Sequence, residues 1–349
     1  MPECSLRVGH PLDSRHQHAG VTPFTRHFSL VTHHSSFVIV HLSLFIYNRG
    51  MSTFFALLRT MRPKQWLTKN IFIFAAVVFD SKLFVPGPFF ERPLGKTLLG
   101  FMLLCLISGT IYIINDLADV EADRQHPKKK FRPIPSGQLP VPIAAGAAIT
   151  IGLGTLIGSF ALDVTFGWIV IMYAVINLAY SFKLKHIVIV DVLIVAAGFV
   201  LRVAAGVPLV QVVRFSPWLY MCMALLALFL GFAKRRQELM LLQDGAKSTR
   251  AILQEYNLEF VDGMLNVIMA TTILAYSMYT FLAEGLPPNH SMMLTIPFVL
   301  YGIFRYLYLV HVRGEIAPPD EVALKDRPLQ IDLALWALSV IVFLYVIPR

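Results

Sequence analysis

The chain has 349 residues, 56% hydrophobic and only 15% charged, with a mean hydropathy of +0.65. An average soluble domain carries about 25% charge, so this composition excludes a string of soluble domains and points to one polytopic membrane domain. The net charge of +9 gathers in short loops rather than on a soluble basic face, which argues against nucleic-acid binding and for membrane topology and phosphate ligands.

Residues 1–50 read unlike the rest. His10, His16, His18, His27, His33, His34 and His41 fall here with no helical or strand period, and their spacings match no metal-ligand set. The apolar stretch Phe37 to Tyr47 is too short for a transmembrane helix, which needs about 20 residues. No small-residue cleavage site follows it, so it is a poor signal peptide. The expectation is a disordered or spurious N-terminal extension over 1–50, a start at Met51, and one transmembrane transferase domain over 51–349. Cys4, Cys105 and Cys222 are far apart, and the last two lie in apolar runs as small buried hydrophobes.

From Met51 onward, apolar segments recur near 67–84, 97–117, 141–162, 166–182, 187–207, 216–233, 264–284, 290–310 and 329–347. The first has the shortest core, flanked by Lys69 and Asp80. Ten-residue alternating segments are absent from this reading, so a barrel is not expected. The fold class is therefore an all-α membrane protein with about nine transmembrane helices. Cations cluster before span one (Arg59, Arg62, Lys64, Lys69) and between spans two and three (Lys128, Lys129, Lys130, Arg132). They recur at Lys183 and Lys185, then at Lys234, Arg235, Arg236, Lys247 and Arg250, and finally at Arg313, Lys325 and Arg327. With nine spans all these loops share one side, which the positive-inside rule makes the cytoplasm. The expected location is the inner (plasma) membrane, with the N-terminus inside and the C-terminus outside.

The end of the second span carries the chemistry. Asp116, Asp119 and Asp123 are spaced i, i+3, i+7, which puts three carboxylates on one helical face beside Asn115. Like charges this close, near lipid, are costly, and a divalent cation removes the repulsion. Hard oxygen ligands select Mg²⁺, which completes its shell with water and substrate phosphates. The chain then turns basic, and Arg132-Pro133 with Ser136-Gly137 reads as a structured turn that favours Arg132 as a ligand. Lys128, Lys129 and Lys130 serve equally well as headgroup anchors. Pro127, Pro133 and Pro135 keep the loop out of helix.

Tyr180 to His186 closes span four with Lys183 and Lys185. Asp191 follows just inside span five, either paired with one of those lysines or forming a second acidic element facing Asp116 to Asp123. Arg202, among Val200, Leu201, Val203 and Ala204, reads as a structural pair, a snorkelling cation or a ligand. Lys64 and Lys69 open span one, and Lys69 with Asn70 sits inward of Trp66. Lys234 and Glu238 share a face at the end of span six, beside Arg235 and Arg236. His126 and His186 read as loop polarity. P-loop, GxGxxG, GxSxG and HExxH templates are missing.

The run from Asn115 to Asp123 resembles the NDxxDxxxD motif of the UbiA superfamily of intramembrane prenyltransferases, over about 51–349. That resemblance implies a UbiA-like helical bundle with a cytosol-facing active-site cavity. Most members show a second DxxxD motif, whereas this chain has the single Asp191. RPKQWxxKN at span one and DxxxDRxHPxKxxRPxxxG resemble, within the superfamily, the decaprenyl-phosphate phosphoribosyltransferase branch. The resemblance implies Mg²⁺ on Asp116, Asp119 and Asp123, catalysis by these and Asp191, and a membrane setting with two phosphorylated partners. Those partners are phosphoribosyl diphosphate and a polyprenyl (decaprenyl) phosphate, in the making of cell-wall arabinan precursors. Substrate binding is expected from Lys64, Lys69, Asn115, Lys128, Arg132, Tyr180, Lys183, Lys185, Arg202, Lys234 and Arg235. A homo-oligomer stays open. The alternatives are a prenyltransferase using a prenyl diphosphate and an aromatic or other acceptor, and an organophosphate transporter.

Overall fold

The computed structural model describes residues 52–211, 216–243, 251–284, 286–317 and 319–346. The chain divides into two compact units, Met1–Phe54 and Phe55–Arg349, of which the second is described here. The expected extension over 1–50, with its histidines and Cys4, lies outside the described residues, as do Lys247 and Arg250.

Helices supply the described secondary structure, and strands are absent among the described residues. In chain order they are α1 (52–61), α2 (Pro63–Asn70), α3 (Ala75–Phe79), α4 (Pro93–Ala118), α5 (Val120–Gln125), α6 (Val141–Leu162) and α7 (Val164–Phe182). Then come α8 (Val190–Val210), α9 (Pro217–Gln243), α10 (Leu258–Leu282), α11 (Ile296–His311), α12 (Pro319–Lys325) and α13 (Arg327–Ile341). Proline near the first position opens α2, α4, α6, α11 and α13, where its missing N–H is no loss. Asp163, Asn257 and Asp326 cap α7, α10 and α13 by accepting from Phe166, Phe260 and Leu329 backbone N–H groups.

Among the described residues, eight helices are long and apolar enough to cross a membrane. They match eight of the nine expected intervals. α4 and α8 form the inner pair, buried over 56% and 50% of their apolar stretches, while α6 and α7 are buried over only 17% and 22%. The outer helices thus present most of their apolar surface to lipid, which is why all-round hydrophobicity rather than amphipathic periodicity marks them.

The expected first span, 67–84, is corrected. It is not one helix: α2 passes through a 3₁₀ turn (Ile71–Phe74) into α3, and its apolar helical stretch Thr68–Phe79 falls short of the about 20 residues a straight crossing needs. The cause is local. Asn70 is buried and turned toward α4 and α8, and the backbone of Ile73 is pressed so close to Gly206 that any Cβ there would lie 2.2 Å from the Ile73 carbonyl oxygen. Even so, the segment runs the length of the bundle. Arg62 pairs with Asp116 in the last turn of α4, while Lys82 Nζ donates to the Val210 and Gln211 carbonyls (3.2 Å each) where α8 ends. The broken helix frees carbonyls that lipid cannot satisfy, and the Tyr345 hydroxyl donates to that of Val78 (2.7 Å).

Two cores matter for the site. Ile73, Leu104, Ile107, Phe166, Val170, Tyr173 and Leu201 fill the space between α4, α7 and α8. Ala56, Met61, Ile113, Ile134, Leu139 and Ala144 pin the α5–α6 loop onto α4 and α6.

Candidate active site

α4 stops at Ala118, and Asp119 (φ −95°, ψ 7°) separates it from α5, so the three acids do not share one unbroken helical face. The break brings Asp116 and Asp123, both almost fully buried, onto one guanidinium. Arg132 Nη1 lies 2.6 Å from Asp123 Oδ2 and 3.2 Å from Asp116 Oδ1. Arg62 Nη2 adds a 2.8 Å bond to Asp116 Oδ1, and Lys129 Nζ stands 3.4 Å from Asp123 Oδ1. Removing one partner of such a buried set would strand a charge. His126 is a turn residue here, its Nδ1 accepting from the Lys128 and Lys129 backbone N–H groups (3.2 Å each). Asp119 is half-buried beside them.

The expected metal ligands Asp116, Asp119 and Asp123 are not gathered into one ligand cluster in this geometry. Among the described residues no group of three or more His, Cys, Asp or Glu side chains is assembled to hold a metal ion. Arg132 stands between Asp116 and Asp123 and supplies the positive charge that their mutual repulsion demands. The donor chemistry still suits a hard divalent cation. It offers only oxygens, and Asn115 Oδ1 is buried without a hydrogen-bond partner.

A cavity of about 220 Å³ opens over these acids, lined by Arg59, Thr60, Arg62, Asp116, Lys128, Phe131, Arg132 and Pro133. Four cations against one carboxylate make it a polyanion pocket. Arg62 also lies over the Tyr112 ring, 4.6 Å from its centroid.

Deeper along α4 lies a second polar group. Lys69 Nζ donates to Gln65 Oε1 (3.1 Å) and to the Tyr112 hydroxyl (3.3 Å), and Tyr112 donates to Gln65 Oε1 (2.6 Å). Buried Arg202 donates to Asn70 Oδ1 (2.8 Å), the Gly198 carbonyl (2.8 Å) and the Tyr173 hydroxyl (2.7 Å). Its guanidinium also stacks over the rings of Tyr173 and Phe199. Arg202 is therefore not snorkelling, and among the described residues it forms no salt bridge.

Asp191 is not brought together with Asp116, and it pairs with neither Lys183 nor Lys185. Arg235 Nε donates to its Oδ2 (2.9 Å) and the Tyr256 hydroxyl to its Oδ1 (2.7 Å). Arg235 also bonds Glu238, so Glu238 serves Arg235 rather than the exposed Lys234. Burial first, then the bond to Asp191, pushes the Tyr256 phenol up to about 12, which keeps it a donor across the physiological range. Tyr180 lies near Arg235. Lys64 and Lys183 are exposed, and Lys185 is half-buried.

Sequence reasoning missed Arg59, Gln65, Tyr112, Tyr173 and Tyr256. Only Tyr112 carried a usable signal, since it lies one helical turn before Asp116 on the same face. The others look like ordinary interface or core residues until the fold brings them together.

Comparison with known proteins agrees with this architecture. A family model described as the UbiA prenyltransferase family matches residues 71–320. A decaprenyl-phosphate phosphoribosyltransferase of Mycobacterium tuberculosis is 31% identical over 283 residues, covering 81% of this chain and 92% of that protein. One from Corynebacterium glutamicum is 30% identical over 298 residues, 84% of this chain and 87% of that protein. Among solved structures, a UbiA homolog from Archaeoglobus fulgidus bound to GPP and Mg²⁺ superposes with a TM-score of 0.61 at 19% identity. It covers 83% of this chain and 99% of that one, a likeness of fold.

Proposed function

This chain belongs to the UbiA prenyltransferase family, and within it we propose that the chain transfers 5-phosphoribosyl from phosphoribosyl diphosphate to a polyprenyl phosphate. The products are polyprenyl-phosphoryl-5-phosphoribose, a precursor for cell-wall arabinan, and diphosphate. The observation that carries this reading is the similarity to relatives named for that activity across four fifths of the chain. The geometry supports it independently. One strong acidic element, a single buried Asp191 engaged elsewhere, and a surplus of cations suit substrates rich in phosphate.

In this reading Asn115, Asp116, Asp119 and Asp123 offer the oxygens for Mg²⁺, which when bound neutralises charge on the leaving diphosphate. Arg59, Arg62, Lys128 and Arg132 bind phosphoryl oxygens in the cavity above. Arg62 and Arg132 are placed to share their donors between the buried carboxylates and the substrate. The bond from ribose C1 to the diphosphate oxygen breaks, and a bond from C1 to a lipid phosphate oxygen forms on the opposite face, inverting C1. The attacking oxygen is already anionic, so a general base is not needed and positioning carries the catalysis. Asp191, held by Arg235 and Tyr256, acts by fixing Arg235 and the start of α8 rather than by touching the reacting atoms. The cation-rich helix ends support a mouth that opens to the cytoplasmic face.

Purified protein given labelled phosphoribosyl diphosphate, polyprenyl phosphate and Mg²⁺ should yield labelled lipid. Consumption of a prenyl diphosphate instead would overturn the reading in favour of prenyl transfer. Asp116→Ala should cut turnover by about 10²-fold or more while remaining monodisperse, and full activity in that variant would remove the acids from the mechanism.

A further inference from the structure

We infer that Arg202 and Lys69 form a second, deeper anion site that receives the phosphate of the lipid acceptor, separate from the cation-lined cavity that receives the water-borne donor. This rests on the phosphoribosyl-transfer reading above and divides its two phosphorylated substrates between two places.

The first ground is charge. Arg202 is only 6% exposed, yet neither it nor Lys69 forms an ion pair with any carboxylate among the described residues. All the partners that hold them are neutral: Asn70, Gly198 and Tyr173 for Arg202, Gln65 and Tyr112 for Lys69. The two cations are close enough to act on one another, and Arg62 adds its charge from above. A buried, uncompensated cation inside a membrane-spanning bundle is costly, and it marks a place where a counter-ion belongs. By contrast every other buried charge in the site, Asp116, Asp123, Asp191 and Arg235, is already paired.

The second ground is depth. Ser108, which meets Asn70, precedes Asp116 by eight residues, about 12 Å along α4. The Arg202 guanidinium lies over the rings of Tyr173 and Phe199, and Tyr173 belongs to the apolar core that includes Leu104, Ile107 and Leu201. Phosphoribosyl diphosphate, with its ribose hydroxyls, would leave polar groups unmatched there. A phosphate monoester carried on a hydrocarbon chain would not, since its tail belongs among apolar side chains and lipid. The hydrogen-bonded hydroxyls of Ser108 and Tyr173 beside Arg202, and the Tyr112 hydroxyl beside Lys69, can turn toward a phosphate.

Separate KM values decide the matter. Arg202→Met should raise the KM for polyprenyl phosphate by about tenfold or more and leave that for phosphoribosyl diphosphate within about threefold, while Arg132→Met should do the reverse. Lys69→Met should behave as Arg202→Met does and settles the question if Arg202→Met is not monodisperse. If wild-type protein makes the labelled lipid but these deep variants shift the donor KM, or neither KM, the deep site is overturned and the functional reading stands. If wild-type protein makes none, both fall.

Discussion

Arg62 and Ile189 hold backbone conformations with φ of 59° and 67°, and each adjoins a buried carboxylate: Arg62 bonds Asp116, and Ile189 lies two residues before Asp191. Such positions cost about 1–3 kcal/mol each and persist when surrounding contacts over-determine them. At Ile189 the contacts are visible. Its N–H donates to the Tyr256 hydroxyl (2.7 Å), which in turn donates to Asp191. The Ile189 side chain is 41% exposed, so little apolar burial is lost by trimming it. Ile189→Gly should therefore raise the thermal midpoint, by about 1 kcal/mol of stability. A lowered midpoint in thermal scanning would show that the conformation is not strained in the folded protein. This is also where sequence reading runs out. The spacing of Asp116, Asp119 and Asp123 is written in neighbouring residues, but the latch on Asp191 comes from Tyr256, 65 positions away. Lysines near in sequence looked like the natural partners of Asp191, and topology supplied Arg235 instead.

At the scale of the elements, the joint between α11 and α13 is set by charge. Arg305 binds Asp326 through two bonds (Nε to Oδ1, 3.1 Å; Nη2 to Oδ2, 2.8 Å), and Asp326 Oδ1 also accepts from Leu329 N–H at the start of α13. The bonds from Arg305 hold the Asp326 carboxyl below its ordinary range. A depressed folded-state value means the stabilisation is present above the unfolded carboxylate pKa of about 4 and is lost as pH falls through the lower folded value. Asp326→Asn should thus unfold at a lower temperature than wild type near neutral pH, and the gap should narrow below about pH 4. A gap that stays constant down the pH series would mean that the carboxylate charge contributes nothing. Element limits themselves were legible where apolarity is unbroken, as in α6, whose range 141–162 is the expected one. They were not legible at α2 and α3, because a hydropathy window cannot see that Asn70 turns inward or that Gly206 lets a backbone approach. Nor did it show that α9 runs on past its apolar stretch to Gln243, which is what brings Arg235 and Glu238 to Asp191.

At the scale of the described bundle, the two ends differ in what they carry. The end of the bundle where α4 finishes carries Arg59, Arg62, Lys128, Arg132 and the paired acids. Lys82 meets the end of α8 at the other extreme, near a loop that exposes Phe84 (75%) and Phe90 (66%). Lys and Arg favour the cytoplasmic side, and aromatic rings favour membrane interfaces. The broken segment from Arg62 to Lys82 matters to this polarity, because it carries the chain from the acidic end to the aromatic end before α4 returns. The two ends should therefore answer differently to a membrane-impermeant maleimide, in a background with Cys4, Cys105 and Cys222 replaced by serine. In intact cells Phe84→Cys should be labelled at once, and Lys128→Cys only after permeabilisation. The opposite order would turn the mouth of the cavity outward and place the site beyond reach of a cytosolic phosphoribosyl diphosphate.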